Sequence, residues 1–226
     1  MKPFQTQTPG ATLHAGRNNA GGRARQTKGR RANLWFFHSN KLNKLLSLHG
    51  DVLFSHVVFA EIDPNILTYH WPEEETSSSE GHANRTSTDL RVLFVDGTQE
   101  IWHCCRAAGK ARLPSHDEDG TPILLKTATD VEARAVRLDN ALLLCGALTA
   151  ARRYDIMPAH QAIRQRMLFR ERSTFGELTS LPGIDPALLQ AALVRLHLER
   201  DIAIDLDSHP LTRNTVVVRL TSRSAS

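Results

Sequence analysis

The sequence contains few cysteines and lacks any long apolar run. Three cysteines occur among 226 residues, and two of them, Cys104 and Cys105, are adjacent. Side chains of adjacent strand residues point to opposite faces, so a disulfide framework is not expected. No run approaches the roughly 18 apolar residues that span a bilayer, and the first residues contain no apolar core of a signal peptide. We therefore expect a cytoplasmic protein with reduced thiols and no membrane partner.

Signatures of several enzyme classes are also missing. The sequence contains no P-loop, no dinucleotide-binding fingerprint and no serine nucleophile elbow. It also lacks the paired and regularly spaced ligands of a structural zinc motif. These absences predict that no nucleotide or other small-molecule cofactor binds to the protein.

Acidic residues are absent from one strongly basic segment. Residues 17–31 contain six lysines and arginines, although the net charge of the whole chain is only +4. Such polar, basic segments are typical of disordered arms that are attracted to phosphates. We predict that residues 1–32 form a disordered basic N-terminal arm whose DNA contacts are Arg23, Arg25, Lys28, Arg30 and Arg31. A solvated tail that binds nothing is the alternative.

The following segment, residues 33–155, has the pattern of an α/β domain. A first strand or turn is expected near Trp35, and leucines between Leu42 and Leu48 recur at a spacing that predicts a helix. The stretch "DLRVLFVDGTQEIWHCC" alternates around Asp96-Gly97, a turn signal that predicts an antiparallel hairpin. A strand and then helices follow. This order predicts a mixed sheet flanked by helices.

Residues 156–226 have the pattern of a small α+β domain. Thr174 and Glu177 form a capping-box signature, and Asp185-Pro186 is typical of a helix start. Three helices followed by a hairpin are the order of a winged helix, which binds DNA or a protein partner. Basic residues here that are candidate phosphate contacts are Arg195, Arg200, Arg213 and Arg219. Docking of a protein partner is about as strongly favoured as DNA binding, because acidic residues lie beside these arginines. The acidic residues are Glu199, Asp201, Asp205 and Asp207.

One end of the predicted hairpin carries residue types that bind metals. Asp89 begins the first strand, and the second strand ends in His103, Cys104 and Cys105. Carboxylate, imidazole and thiolate are all metal ligands, and alternation places His103 and Cys105 on one face and Cys104 on the other. The sequence offers no evident further ligand. A half-buried strand end with packed thiols is the simpler interpretation.

Several motifs occur in an order that resembles the TnsA family, the endonuclease subunit of heteromeric bacterial transposons. The first three are "FFHSNKLNKLLSLHG", "AEIDPNILTYHWP" and "RTSTDLRVLFVDG". They are followed by "RLDNALLL", "RRYDIMP" and the predicted winged helix, so the resemblance covers about four fifths of the chain. It implies a restriction-endonuclease-like domain of the PD-(D/E)xK type with a C-terminal winged helix in a bacterial cytoplasmic protein.

In that family, carboxylates hold magnesium or manganese and a lysine assists the reaction. The resemblance matches Asp89 to the aspartate of the motif, with Thr88 in place of its proline, and makes Asp89 the one retained candidate metal ligand. The early acidic position falls on Leu53 or Phe54. The Glu-x-Lys positions fall on His103 and Cys105.

The catalytic motif is therefore degenerate, and we expect no bound cofactor and no metal-dependent cleavage; magnesium or manganese would bind only in an active protein. Replacement of the lost ligands by Glu61, Asp63 or Glu100 stays open, although the first two align with a structural strand of the family.

Three functional hypotheses follow. The leading one is a non-catalytic, TnsA-like subunit that binds DNA ends and partner transposition proteins. The second is an active, metal-dependent endonuclease with a rearranged site, which requires Asp89 and His103 to converge. The third is a winged-helix regulatory or interaction protein whose N-terminal resemblance is accidental, which predicts no nuclease-like sheet.

Overall fold

The computed structural model describes residues 32–70, 89–107 and 114–220. The predicted DNA contacts of the N-terminal arm, Arg23 to Arg31, lie outside these residues, as does Thr88. Ala32–Ser226 is one compact unit. No helix in the described part of the chain is long and apolar enough to cross a membrane.

A two-stranded antiparallel ribbon begins the described chain. Its strands are β1 (Leu34–Ser39) and β2 (Lys44–His49). The helix predicted from the leucines here is wrong, because Asn43 turns the chain with a φ of 50° and the leucines then alternate. Leu46 and Leu48 are buried, whereas Leu45 is exposed. Four leucines in a short run fit both the helical and the strand repeat, and only the position of the turn distinguishes the two.

The next helix is buried on nearly every side and lies against a mixed sheet. In helix α1 (Asp51–Ile62) every residue from Ser55 to Ile62 is buried, which is typical of a helix in the middle of a core. The four strands that follow pair in sequence order, with β5 and β6 parallel and the other pairs antiparallel. They are β3 (Ile66–His70), β4 (Asp89–Phe94), β5 (Gln99–Cys105) and β6 (Ile123–Thr127). The predicted mixed sheet flanked by helices is confirmed.

Two helices continue from the last strand of this sheet. The short helix α2 (Ala128–Glu132) starts with a capping box in which Thr127 and Asp130 exchange hydrogen bonds. The longer helix α3 (Ala135–Ala151) packs against the side of α1 that faces away from the sheet. The sheet, α1 and α3 therefore form successive layers.

The C-terminal part contains three helices and a three-stranded antiparallel sheet in the order β7-β9-β8. The capping box of Thr174 and Glu177 and the helix start at Asp185-Pro186 are both confirmed. The elements are α4 (Met157–Leu168), β7 (Arg172–Thr174), α5 (Phe175–Leu178), α6 (Pro186–Leu198), β8 (Ile202–Ile204) and β9 (Val216–Arg219).

Two surfaces of this C-terminal part are occupied by contacts within the chain. Helix α6 packs between α3 and α4, and most of its side chains are buried. The loop between β8 and β9 is held by Asn140 of α3, whose amide nitrogen donates to the Leu206 and His209 carbonyl groups and whose oxygen accepts from the Leu211 amide. One hydrophobic core therefore continues across the predicted boundary at residues 155 and 156.

Candidate functional site

Asp89 and His103 meet where β4 begins and β5 approaches its end. The hairpin register makes them direct cross-strand partners, and Asp89 Oδ1 lies 2.6 Å from His103 Nδ1. Both side chains reach solvent, with exposed fractions of 46% and 29%. The two residues that the sequence predicts to converge are thus in direct contact. The hydrogen bond to this carboxylate fixes the orientation of the imidazole ring.

The thiols beside this pair lie on two different faces of the sheet, as predicted. Cys104 shares its face with Trp102, whose ring contacts His56 of α1, and burial raises the pKa of the Cys104 thiol to about 12. Cys105 lies on the same face as His103, and its Sγ donates to the Ala107 carbonyl at 3.2 Å. The Cys105 thiol therefore makes its hydrogen bond to the backbone and not to the imidazole.

The donor set of this site does not fit magnesium or manganese. Hard divalent cations take oxygen ligands, whereas Asp89 is joined here by an imidazole and a thiol. Within the described ranges, no cluster of three or more histidine, cysteine, aspartate or glutamate residues could hold a metal ion. No catalytic step through a metal ion is derived from these residues.

Residues that could replace the lost ligands lie elsewhere. Leu53 is buried, and the ring of Phe54 stacks on Trp35. Neither residue at the family's early acidic position therefore has a side chain that could bind a metal ion. Glu100 accepts from the Trp102 indole at 2.7 Å, and alternation along β5 puts it on the face opposite Asp89. Asp63 is the C-cap of α1, and its Oδ2 atom lies 3.5 Å from Arg137 Nη2. None of these side chains joins Asp89.

Glu61 is fully buried and serves the fold. The stretch that the resemblance aligns with a structural strand of the family is helical here, because α1 includes Glu61 and Asp63 is its C-cap. Ser39 Oγ and Tyr69 Oη donate to Glu61 Oε2 at 2.8 and 2.6 Å. The Asn40 and Lys41 amides donate to Oε1 at 2.6 and 3.0 Å. Four donors thus use both carboxylate oxygens, and we call this group the Glu61 cluster.

Lys41 extends the same cluster to the end of α1. Its ammonium group donates to the carbonyl oxygens of Ala60, Asp63 and Ile66. Burial lowers the pKa of Lys41 to about 8, against the opposing effect of Glu61. Burial also raises the pKa of Tyr69, and Glu61 adds to that effect. The cluster therefore joins the β1–β2 turn to α1 and β3. The sequence signal for it is a single glutamate inside the apolar run "VVFAEI".

His56 is a second buried titratable group of α1. It is 2% exposed, and its ring packs edge-on against Phe59 and Trp102. Burial lowers the pKa of His56 to about 4, and the neighbouring charge of Lys126 acts in the same direction. Folding therefore favours the neutral imidazole.

This burial predicts loss of stability in acid. Between the usual pKa of 6.5 and the folded value of about 4, the unfolded chain binds a proton that the folded chain does not, so stability falls as the pH falls. We expect His56 to account for about 2–3 kcal/mol of the loss between about pH 7 and pH 4.5. Urea unfolding of the wild-type protein and of His56→Gln at both pH values measures this contribution. His209→Gln, at an exposed site, is the control; equal pH dependence in all three proteins would contradict the assignment.

The predicted phosphate contacts of the C-terminal part lie on or just after α6, in the β8–β9 loop and on β9. Arg195 is exposed on α6 and lies 3.9 Å from Glu199, and Arg213 in the β8–β9 loop donates to Ser180. Arg200 takes a positive φ of 65° just after α6. Arg219 donates to the Leu168 carbonyl.

Comparison of the chain with protein-family models, with curated proteins and with solved structures finds no match. The resemblance to the TnsA family therefore rests on the sequence motifs alone.

Proposed function

We propose that the chain is a non-catalytic, TnsA-like subunit of a mobile-element system that binds DNA ends and partner transposition proteins. The observation that carries the non-catalytic part is the donor set beside Asp89, where His103 and Cys105 stand at the positions that the resemblance assigns to Glu-x-Lys. In the TnsA family, as the resemblance implies, carboxylates hold a metal ion at the positions that match this hairpin. His103 Nδ1 instead lies 2.6 Å from Asp89 Oδ1, so the one retained carboxylate has an imidazole beside it, and magnesium prefers oxygen ligands to imidazole.

The order of elements supports the nuclease-like part of the proposal. A helix, three antiparallel strands and a fourth strand parallel to the third follow one another as α1, β3, β4, β5 and β6. Asp89 and His103 are opposite each other on the second and third of these strands, as the Asp and Glu-x-Lys positions of a restriction-endonuclease-like domain require. This order is compatible with a nuclease-like sheet, which the hypothesis of a winged-helix regulator alone does not predict.

The C-terminal part supports a docking role. Its order of helix, strand, two helices and two strands is that of a winged helix, in which the third helix and the hairpin loop contact DNA. Here α6 and the β8–β9 loop are both engaged by α3. We therefore assign the main DNA contacts to the basic N-terminal arm and partner contacts to the folded part.

Nicking of a supercoiled plasmid tests the non-catalytic part. We expect the wild-type protein, Asp89→Ala and His103→Ala to give equal, background amounts of nicked plasmid with magnesium or with manganese. DNA binding, measured in parallel with the same plasmid, should persist in all three proteins. Nicking by the wild-type protein that both substitutions abolish would overturn the proposal.

That overturning result would support a second candidate function, an endonuclease with a rearranged site. The convergence of Asp89 and His103 on neighbouring strands is the observation in its favour. The composition of the donor set is the argument against it, since a single carboxylate with an imidazole binds magnesium poorly.

A further inference from the structure

A groove lies between the free edge of β1 and the exposed side of α3. Its volume is about 620 Å³. Three consecutive residues of β1, Phe36 to His38, line it together with Leu142 and Gly146 of α3. Consecutive side chains of a strand point to opposite faces, so three in a row reach one groove only along the strand edge. The groove therefore runs beside the backbone of β1.

The backbone of β1 is available for pairing on this side. Among the described residues, β1 pairs with β2 alone, so its other edge presents unpaired amide and carbonyl groups. Exposed strand edges of this kind accept an extended segment of another chain as an added strand. The Nδ1 atom of His38 is also buried here without a hydrogen-bond partner.

The groove is lined by apolar side chains and by two arginines, Arg152 and Arg153, which we call its rim. Phe36 is 64% exposed and Leu142 is 37% exposed. Neither arginine forms an ion pair with any residue that the structure describes. Among the described residues that line the groove, none is acidic. The surface is therefore complementary to a ligand that is both apolar and acidic.

We infer that this groove binds an extended segment of a partner protein, in which alternating apolar side chains are flanked by aspartate or glutamate. The segment adds to β1 as a third strand, and its carboxylates face Arg152 and Arg153. The chain's own basic arm has the wrong charge for this rim. A second copy would bring the same arginines and no acid from its own groove. The groove would be the surface through which the protein binds partner transposition proteins. The inference therefore depends on that part of the proposed function.

Gly146 makes the inference testable without unfolding the protein. A Cβ atom at this helical position would meet no atom within 4 Å. Gly146→Phe therefore fills the groove, whereas Gly146→Ala leaves it open and favours the helix by up to about 1 kcal/mol. Thermal unfolding of both variants confirms that each is folded before binding is measured.

A phage-displayed library of random peptides of about twelve residues, longer than a typical strand, is selected on the full-length protein. We expect enriched peptides that alternate apolar residues and contain acidic residues at one end. Their affinity should fall at least about tenfold for Gly146→Phe and stay unchanged for Gly146→Ala. Selection on the double variant R152E/R153E should enrich lysine and arginine in place of acids.

Three outcomes would overturn the inference. Peptides that bind Gly146→Phe as well as the wild type would place the binding surface elsewhere, and acidic peptides that persist on R152E/R153E would remove the role of the rim. Light scattering that shows a dimer of the wild type and a monomer of Gly146→Phe would make a second copy the occupant. The probe contains no DNA, so loss of DNA binding and loss of peptide binding are separate results.

Discussion

Replacement of Glu61 by glutamine is expected to lower the free energy of unfolding by about 3–5 kcal/mol, a large fraction of the stability of an ordinary domain. The glutamine amide keeps the shape of the side chain but brings an NH₂ group against hydroxyl and amide donors. It also removes the negative charge beside the buried ammonium group of Lys41. Buried donors are then left without acceptors.

Urea unfolding measures the effect, and Glu100→Gln is the matched control. Glu100 accepts one hydrogen bond, from Trp102, at a half-buried position. Its substitution should cost no more than about 1.5 kcal/mol. Equal losses for the two variants would mean that the Glu61 cluster does not stabilise the fold beyond an ordinary hydrogen bond.

Neutralising the basic arm is expected to weaken DNA binding by a factor on the order of 100 at low salt. The variant has alanine at five predicted contact positions, Arg23, Arg25, Lys28, Arg30 and Arg31. Each lost phosphate contact reduces the slope of log affinity against log salt by about 0.9, so the slope should fall by about 4–5. Fluorescence anisotropy with a labelled duplex across a salt series measures both quantities.

The control for the arm removes the same charge from the folded part. Five exposed arginines are changed to alanine, namely Arg152, Arg153, Arg166, Arg170 and Arg172. We expect a much smaller change in slope for this protein. Equal losses in the two variants would show that net charge, and not the arm, governs binding. Absence of binding by the wild type would contradict the DNA half of the proposed function.

Elements with local signals are predicted well from the sequence. The turn at Asp96-Gly97 correctly predicts the hairpin. A two-residue turn would place Asp89 opposite Cys104, whereas the loop has three residues, 95–97, and Asp89 is opposite His103. The helix start at Asp185-Pro186 is also predicted correctly. Such signals act between residues only a few positions apart, so their physical cause is visible in a short window.

Features that depend on distant residues are not predictable in the same way. The leucines between Leu42 and Leu48 fit a helix until the turn at Asn43 is known. Glu61 takes its donors from residues 8 to 22 positions away, so a lone glutamate in an apolar run does not reveal whether it is buried. The engagement of the β8–β9 loop depends likewise on Asn140, far earlier in the chain.

The contacts of Asn140 also set an order of events during synthesis. Leu206, whose carbonyl group Asn140 binds, is 66 residues further along the chain. At about 5–20 residues per second, a ribosome needs roughly 3–13 seconds to add them. During that interval the apolar side of α3 that later receives α6 has no partner. The nascent chain therefore presents this surface to chaperones and to neighbouring nascent chains until its last quarter has emerged.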